Sequence, residues 1–227
     1  VSQSVERIRY PKAGQPNPRA KVFSVHVTSG TVQEVDLSQW DIEDRLIGRV
    51  SWSPENQVWL QVLNRVQNVH DLVRVEPTTG NAQPVFNERT VGWIEIRGTP
   101  KFLSGDRFLW LSDVPNGRTH LYLVDAATGQ RQSLTSGHWD VSELLFVSED
   151  EQTAYVSGNL GAAIEDHLVA VNLETGSFER ITQQAGSHRV SMDPSGSYFF
   201  DNFSNTETLP QTTLRSMNDQ MLRILSA

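Results

Sequence analysis

The chain repeats one segment four times at nearly even spacing. In each copy apolar and polar residues alternate before a glycine: VFSVHVTSG ends at Gly30, DLVRVEPTTG at Gly80, HLYLVDAATG at Gly129 and HLVAVNLETG at Gly176. The glycines are 50, 49 and 47 residues apart. Alternation with a period of two predicts β-strands, and a closing glycine suits a turn that needs a positive φ angle. A repeat of this length is typical of β-propeller blades.

The rest of each repeat follows the same order. Two strand-like segments joined by a polar turn precede each motif, and the turns read SPENQ, LSGDR, SEDEQ and DPSGS. A fourth short strand follows the glycine, as in QRQSLTSG and SFERITQQ. Four antiparallel strands make one blade, and no segment shows a convincing helical period. The sequence therefore predicts an all-β fold, a partial β-propeller.

We predict about four complete four-stranded antiparallel blades and most of a preceding one, in a single domain of residues 1–227. The complete units are Arg45–Arg89, Gly92–Ser136, Trp139–Gln184 and Ser187–Ala227, and the incomplete unit, with about three strands, is Val5–Ser38. The last unit is degenerate, because QTTLRSMNDQMLRIL replaces its glycine turn. A partial ring leaves blade faces uncovered, so we expect that two copies could cover one another as a homodimer.

Composition excludes several classes of protein. The net charge of −8 disfavours a nucleic-acid partner, because such proteins carry a cationic surface for the phosphates. No apolar run approaches the ~18 residues that cross a bilayer, so we expect no membrane insertion. The chain has no cysteine, which excludes disulfides and thiolate metal sites but leaves the compartment undetermined.

Three histidines at equivalent repeat positions raise the question of a metal site. His70, His120 and His167 each precede the closing glycine of their repeat by nine or ten residues. Equivalent positions lie a blade apart, whereas zinc bonds of about 2.0–2.1 Å need ligands that converge on one point. We predict that each histidine forms hydrogen bonds within its own blade, that His188 is structural, and that the chain has no metal site and no cofactor.

Six tryptophans could form a stacking platform for sugars or bases. Five of them lie within strand-like alternation or at its start, where large rings fill space between twisted sheets. We therefore predict core packing for each of them. They are Trp40, Trp52, Trp59, Trp93, Trp110 and Trp139.

Two long segments, RYPKAGQPNPRAKVFSVHV and GSHRVSMDPSGSYFFDNFSNTETLPQTTLR, carry a family resemblance. They resemble the N-terminal propeller region of the dipeptidyl peptidase IV family of serine exopeptidases. The YPKAG-x-x-NP segment, Tyr10 to Pro18, is a specific signal for that family, as is the series RFLWLSD, HLYLVD and SLTSGHWDV. The resemblance covers almost the whole chain.

The resemblance implies an eight-bladed propeller that caps an α/β-hydrolase domain with a Ser-Asp-His triad. This chain matches the second half of that propeller. It contains no Gly-x-Ser-x-Gly elbow, and PSGSYF near Ser197 lacks the strand–turn–helix setting. It also contains no adjacent Glu-Glu pair, which in the family holds the substrate's amino terminus. We therefore expect no catalytic residue and no activity from this chain alone.

The resemblance also implies the partners and the activity of the whole enzyme. The partners are peptide substrates and the chain's own C-terminal hydrolase domain. The product is an N-terminal dipeptide, often with Pro or Ala second, and the propeller restricts access to unstructured peptide ends. Family habit indicates a bacterial periplasm or cell surface.

One segment is a candidate for substrate contact, TVGWIEIRGTPKF, Thr90 to Phe102. The resemblance implies aromatic and Arg side chains on the strand that enters this blade, where they touch the far part of longer substrates. Trp93 and Arg97 are the residues of the right type. A slip of one residue would turn either side chain to the other face, so a purely structural role stays an alternative.

A second function from another class remains open. The chain could be a stand-alone propeller-like module that binds a protein or ligand, with no peptidase attached. Coding sequence beyond Ala227 distinguishes the two, because only the peptidase needs a nucleophile elbow followed by Asp and His.

Overall fold

The structure is a computed structural model, which describes residues 11–226. These residues contain eighteen β-strands and no helix. The strands are β1 (Phe23–Val25), β2 (Val32–Glu34), β3 (Arg45–Trp52), β4 (Val58–Asn64), β5 (Val69–Val75), β6 (Ala82–Arg89), β7 (Lys101–Leu103), β8 (Arg107–Ser112), β9 (His120–Asp125), β10 (Arg131–Ser133), β11 (Val141–Val147), β12 (Thr153–Gly158), β13 (His167–Asn172), β14 (Phe178–Arg180), β15 (Ser187–Met192), β16 (Tyr198–Ser204), β17 (Gln211–Ser216) and β18 (Met221–Ser226).

The strands form one two-stranded sheet and four four-stranded antiparallel sheets, each with its strands in chain order. We name them blade 1 (β1–β2), blade 2 (β3–β6), blade 3 (β7–β10), blade 4 (β11–β14) and blade 5 (β15–β18). The all-β class and the four complete four-stranded blades predicted from the repeat are confirmed. The first part of the predicted incomplete unit, residues 5–10, lies outside the described residues.

The chain divides into two compact units, Val1–Ile94 with blades 1 and 2, and Glu95–Ala227 with blades 3 to 5. In the first unit, β4 is buried along nearly its whole length, so it reads as an almost continuous apolar run rather than an alternating one. In the second unit, Leu121 and Val169 belong to one buried cluster that blades 3 and 4 share. A smaller cluster joins blade 4 to blade 5 through Leu168 and Phe199. The single-domain boundary of residues 1–227 stays a prediction.

The repeated glycine closes a turn that only a left-handed residue can make. Gly30, Gly80, Gly129 and Gly176 have φ angles of 71°, 75°, 70° and 71°. The backbone N–H of each glycine donates to the carbonyl oxygen four residues earlier, at 2.8 to 3.0 Å. L-residues adopt this region at a cost of about 1–2 kcal/mol, which explains why the glycine recurs.

The residue that opens each turn caps it with its side chain. In blade 3, Asp125 accepts from the N–H of Ala127 at 3.0 Å and from the N–H and hydroxyl of Thr128, both at 2.8 Å. The hydrogen bonds from Thr128 hold the pKa of the Asp125 carboxyl below its usual value. Asn172 accepts the same set of bonds in blade 4. A residue with a side-chain acceptor four positions before the glycine is therefore part of the motif, and His26 and Glu76 have this role in the other two repeats.

Blade 5 keeps this design without a glycine. Asp219 takes the left-handed conformation, with φ at 61°, and its N–H donates to the Ser216 carbonyl at 2.9 Å. The Ser216 N–H donates to the Gln220 carbonyl at 3.0 Å, so this turn is one residue shorter than the others. Asp is tolerated at such a position because its side chain can bond locally. The degenerate repeat is thus still a hairpin.

Two histidines form the same clamp within their own blades, as the spacing argument predicts. In blade 3, His120 Nδ1 lies 3.1 Å from Thr135 Oγ1, which also accepts from the Leu121 N–H at 2.9 Å. In blade 4, His167 and Thr182 repeat this contact at 3.1 Å. Burial lowers the pKa of both imidazoles. Each clamp ties the third strand of a blade to the segment after the fourth.

The tryptophan prediction is wrong for two of the six residues. Trp59, Trp110 and Trp139 are buried, and Trp40 is half-buried with its indole N–H donating to Asp71 at 2.6 Å. Trp52 is 60% exposed and Trp93 is 63% exposed. Trp52 ends β3 on an exposed face, and Trp93 lies between β6 and β7 outside any strand, where alternation cannot bury it.

Replacing two of the repeated glycines with alanine should distinguish the energetic cost of backbone strain from that of a steric clash. A Cβ at Gly30 meets nothing within 4 Å, whereas a Cβ at Gly80 would overlap the Glu34 carbonyl oxygen. We expect Gly30→Ala to lower the free energy of unfolding by about 1–2 kcal/mol and Gly80→Ala by about 3 kcal/mol or more. Urea unfolding of both variants measures this. Equal losses would contradict the close approach of the two segments.

We expect two substitutions of Thr135 to differ in their effect on stability, because only one of them removes the hydroxyl that contacts His120. Thr135→Val removes the oxygen that accepts from the Leu121 N–H, so a buried donor loses its partner. We expect a loss of about 1–3 kcal/mol in the free energy of unfolding. Thr135→Ser keeps the hydroxyl and should lose less than about 1 kcal/mol. If denaturant titrations give the two variants the same stability, the hydroxyl contributes nothing and the clamp is only a packing contact.

Candidate functional site

A cleft of about 300 Å³ opens between the first strands of blades 3 and 4. It forms where the chain enters blade 3, because β7 is only three residues long and pairs with residues 107–109 of β8. Its lining comes from residues 97–101, 109–111 and 142–146. The volume is at the lower end of small-ligand pockets, so the cleft can take a side chain or a short stretch of peptide.

Arg97 lies in this cleft and is held by two carboxylates. Its Nη2 is 3.1 Å from Asp113 Oδ2 and 3.3 Å from Glu95 Oε2. Its side chain is 27% exposed, so the cation is partly withdrawn from solvent. Nε is buried and has no hydrogen-bond partner among residues 11–226. The two carboxylates therefore fix the guanidinium in place in the cleft.

The rest of the cleft is amphipathic. Lys101 and Glu143 are exposed and contribute one charge of each sign, while Leu144 and Phe146 are half-buried and contribute apolar surface. Because opposite charges lie on its rim, the cleft has no strong preference for an anion or a cation. It suits an uncharged or mixed segment such as extended peptide. The sequence pattern did not identify Asp113, Glu143 or Phe146, since they come from strands and loops distant in the chain.

Trp93, the second predicted substrate-contacting residue, is also accessible. It follows the exposed Val91 in the connection between β6 and β7. The next residue, Ile94, is buried, and its N–H donates to the Gln67 carbonyl at 2.7 Å. The backbone beside the indole is therefore anchored while the ring faces solvent. Trp93 and Arg97 belong to different compact units, and their contact with substrate stays a prediction.

Among residues 11–226 there is no group of three or more His, Cys, Asp or Glu side chains placed to hold a metal ion. Within the same stretch, no helix has the length and apolar character needed to cross a membrane.

Curated relatives match the chain over most of its length. A probable dipeptidyl peptidase 4 from Aspergillus flavus is 28% identical over 179 residues, which cover 74% of this chain and 23% of the relative. The dipeptidyl peptidase 4 of Arthroderma otae is 25% identical over 223 residues, which cover 94% of this chain and 28% of the relative. The chain therefore spans about a quarter of the length of these relatives.

A solved structure and a family model complete the comparison. The crystal structure of Porphyromonas gingivalis dipeptidyl peptidase 4 superposes with a TM-score of 0.86 at 22% identity, over 96% of this chain and 31% of that one. That likeness shows the fold, so the blades described above form a partial β-propeller. The model for the dipeptidyl peptidase IV (DPP IV) N-terminal region matches residues 2–210. Because this match covers most of the sequence, the chain belongs to the dipeptidyl peptidase IV N-terminal-region family.

Proposed function

We propose that this chain is the non-catalytic propeller part of a dipeptidyl peptidase IV-like serine peptidase that releases N-terminal dipeptides with Pro or Ala second. The observation that carries the proposal is the family match over residues 2–210 in a chain without a nucleophile elbow. The chemistry then belongs to a hydrolase domain encoded elsewhere. There a Ser acts as nucleophile, a His as general base and an Asp orients the imidazole.

The propeller has two tasks in this proposal. It gates access, because blades with close-packed cores form a rigid wall that folded proteins cannot pass and unstructured peptide ends can. It also contacts the part of the substrate that lies beyond the scissile bond. The net charge of −8 supports the first task, since a negative potential attracts a peptide's cationic amino terminus.

The cleft around Arg97 supports the second task. Asp113 and Glu95 hold the guanidinium before any ligand arrives, so little side-chain entropy is lost on binding. The apolar surface of Phe146 lies in the same cleft. Extended peptide offers both carbonyl acceptors and side chains, which matches this combination of a fixed donor and an apolar wall.

The proposal is tested first by the purified chain and the coding sequence beyond Ala227. We expect no hydrolysis of a Gly-Pro chromogenic substrate by residues 1–227. We expect the longer reading frame to encode a Gly-x-Ser-x-Gly elbow followed by Asp and His, and its product to hydrolyse the same substrate. A stop codon directly after Ala227 would instead support a stand-alone binding module, and turnover by the chain alone would refute its non-catalytic role.

A substitution of Arg97 tests the substrate contact in the full-length peptidase. We expect Arg97→Ala to lower kcat/KM for a hexapeptide substrate by about fivefold to tenfold through KM, because a fixed donor is lost. Hydrolysis of the short chromogenic substrate should stay the same, since it does not reach the cleft. Arg118→Ala is the matched control, as Arg118 is exposed, pairs with Asp140 at 2.7 Å and does not line the cleft. Equal effects on both substrates would exclude a distal contact.

A further inference from the structure

Two imidazole rings face each other where blades 4 and 5 meet. The ring centroids of His167 on β13 and His188 on β15 lie 5.2 Å apart, and their planes are 38° from parallel. Both side chains are fully buried. The same contact includes a backbone hydrogen bond between the blades, from the His188 N–H to the Asp166 carbonyl at 2.9 Å. We call this the blade 4–5 contact.

The partners of His188 require that it carries a positive charge. Its Nδ1 lies 2.9 Å from Asp201 Oδ2 and its Nε2 lies 2.8 Å from the Gln184 carbonyl oxygen. Asp201 Oδ2 also lies 3.1 Å from Arg215 Nε in an ion pair, so Asp201 is a carboxylate and accepts. A carbonyl oxygen can only accept. Both ring nitrogens of His188 therefore donate, which only the imidazolium can do.

His167, by contrast, is neutral in this arrangement. Its Nε2 lies 2.9 Å from Glu165 Oε2 and 3.4 Å from Arg180 Nη1, and the shorter contact, to a carboxylate, places a proton on Nε2. Its Nδ1 lies 3.1 Å from Thr182 Oγ1, an oxygen that accepts from the Leu168 N–H and can give its own proton to the ring. Burial lowers the pKa of His167; the hydrogen bond to Glu165 opposes this effect, and the charges of Arg180 and His188 add to it. One neutral and one charged imidazole thus share the contact.

The charges around this contact are already paired. The charged and titratable groups that face it are Glu165, Asp166, Arg180, His188, Asp201, Arg215 and Asp219. Asp201 is bound by His188 and Arg215, and Asp219 by Arg215 at 2.8 Å. Asp166 Oδ1 accepts from the Ser142 hydroxyl at 3.5 Å. Glu165 lies within hydrogen-bond distance of His167 Nε2, and Arg180 Nη1 lies 3.4 Å from the same nitrogen.

We propose that the blade 4–5 contact is an acid-sensitive switch, in which a proton on His167 sets two imidazolium rings against each other and releases blade 5 from blade 4. The pKa of a free histidine is about 6.5, and that of His167 in the closed contact is lower. Above about pH 6.5 neither form is protonated there, and the contact is fully stable. As the pH falls below this value the open form takes up the proton first, so closure is progressively lost.

The contact between blades 3 and 4 provides a matched internal control. His120 occupies the position equivalent to His167, but the ring opposite it is Trp139, at 5.9 Å, rather than an imidazolium. A backbone hydrogen bond from the Val141 N–H to the Thr119 carbonyl, at 2.8 Å, replaces the one from His188. Both histidines are buried with a lowered pKa, and the rings that face them differ in charge. The two contacts also differ in that His167 Nε2 is bound by the Glu165 carboxylate.

Hydrogen exchange of the two equivalent amides tests the proposal on the 227-residue chain. Between about pH 7.5 and about pH 5.5, after correction for intrinsic exchange, we expect the His188 amide to lose about tenfold more protection than the Val141 amide. His167→Gln should remove this difference and His120→Gln should leave it. Equal changes at the two amides in the wild-type chain would overturn the proposal.

A spectroscopic measurement on the wild-type chain tests the same proposal even if the His167→Gln variant does not fold. Nitrogen-15 NMR of the wild-type imidazoles near neutral pH should show His188 protonated on both nitrogens and His167 protonated on Nε2 alone. A neutral His188 would remove the like-charge repulsion on which the switch depends. A charged His167 at that pH would equally exclude it.

Discussion

The middle strands of blades 2 to 4 are buried or half-buried on both faces along nearly their whole length, and the other features of the structure follow from that burial. In β4 six of seven residues are buried, and in β8 and β13 four of six are buried and the other two half-buried, whichever face they point to. Burying a large apolar side chain contributes about 1.5–3 kcal/mol, so these strands supply most of the favourable free energy. The same burial makes any unpaired polar group costly. Each blade therefore needs polar side chains that satisfy one another within the core.

The histidine clamps meet this need and recur with the repeat. His120 and Thr135 are 15 residues apart, as are His167 and Thr182, so the third strand and the segment after the fourth stay in register. The histidine of HLYL and the threonine of LTSG thus form one structural unit although they are distant in the sequence. In blade 2 the equivalent residue, His70, lies 3.8 Å from Glu88 instead. The position is retained while its partner varies.

Spacing alone predicted the blades, because a β-hairpin turn depends on local residues. The glycine of each repeat and the capping residue four positions before it, such as Asp125, determine the turn without help from the rest of the chain. Long-range partners were not predictable in the same way. The ion pair between Arg97 and Asp113 joins a loop to the residue that follows β8. The cleft beside it is lined in part by Phe146, which belongs to another blade. No local pattern encodes that proximity.

The prediction that every tryptophan packs in the core failed for a different reason. Alternation places Trp52 at the end of a strand, but a strand has two faces and the pattern does not say which face a neighbour covers. Trp93 shows the limit more directly, since it lies in a connection where periodicity has no meaning. Its neighbour Ile94 is the buried residue, one position along the chain. Substrate contacts drawn from this segment depend on a register that the sequence does not define.

Repetition also explains how one position can acquire different chemistry. Successive blades place a histidine at the same point of the third strand, and the first strand of the next blade, or the segment just before it, supplies the ring that lies opposite. Opposite His120 that is Trp139, an uncharged ring, and opposite His167 it is His188, whose charge is held by Asp201. The fold requires only that the space be filled and the polar atoms paired. The charged ring of His188 meets that requirement while the facing imidazole of His167 stays neutral. Packing therefore depends on the protonation state of the histidine where blades 4 and 5 meet, whereas the uncharged Trp139 imposes no such dependence on His120.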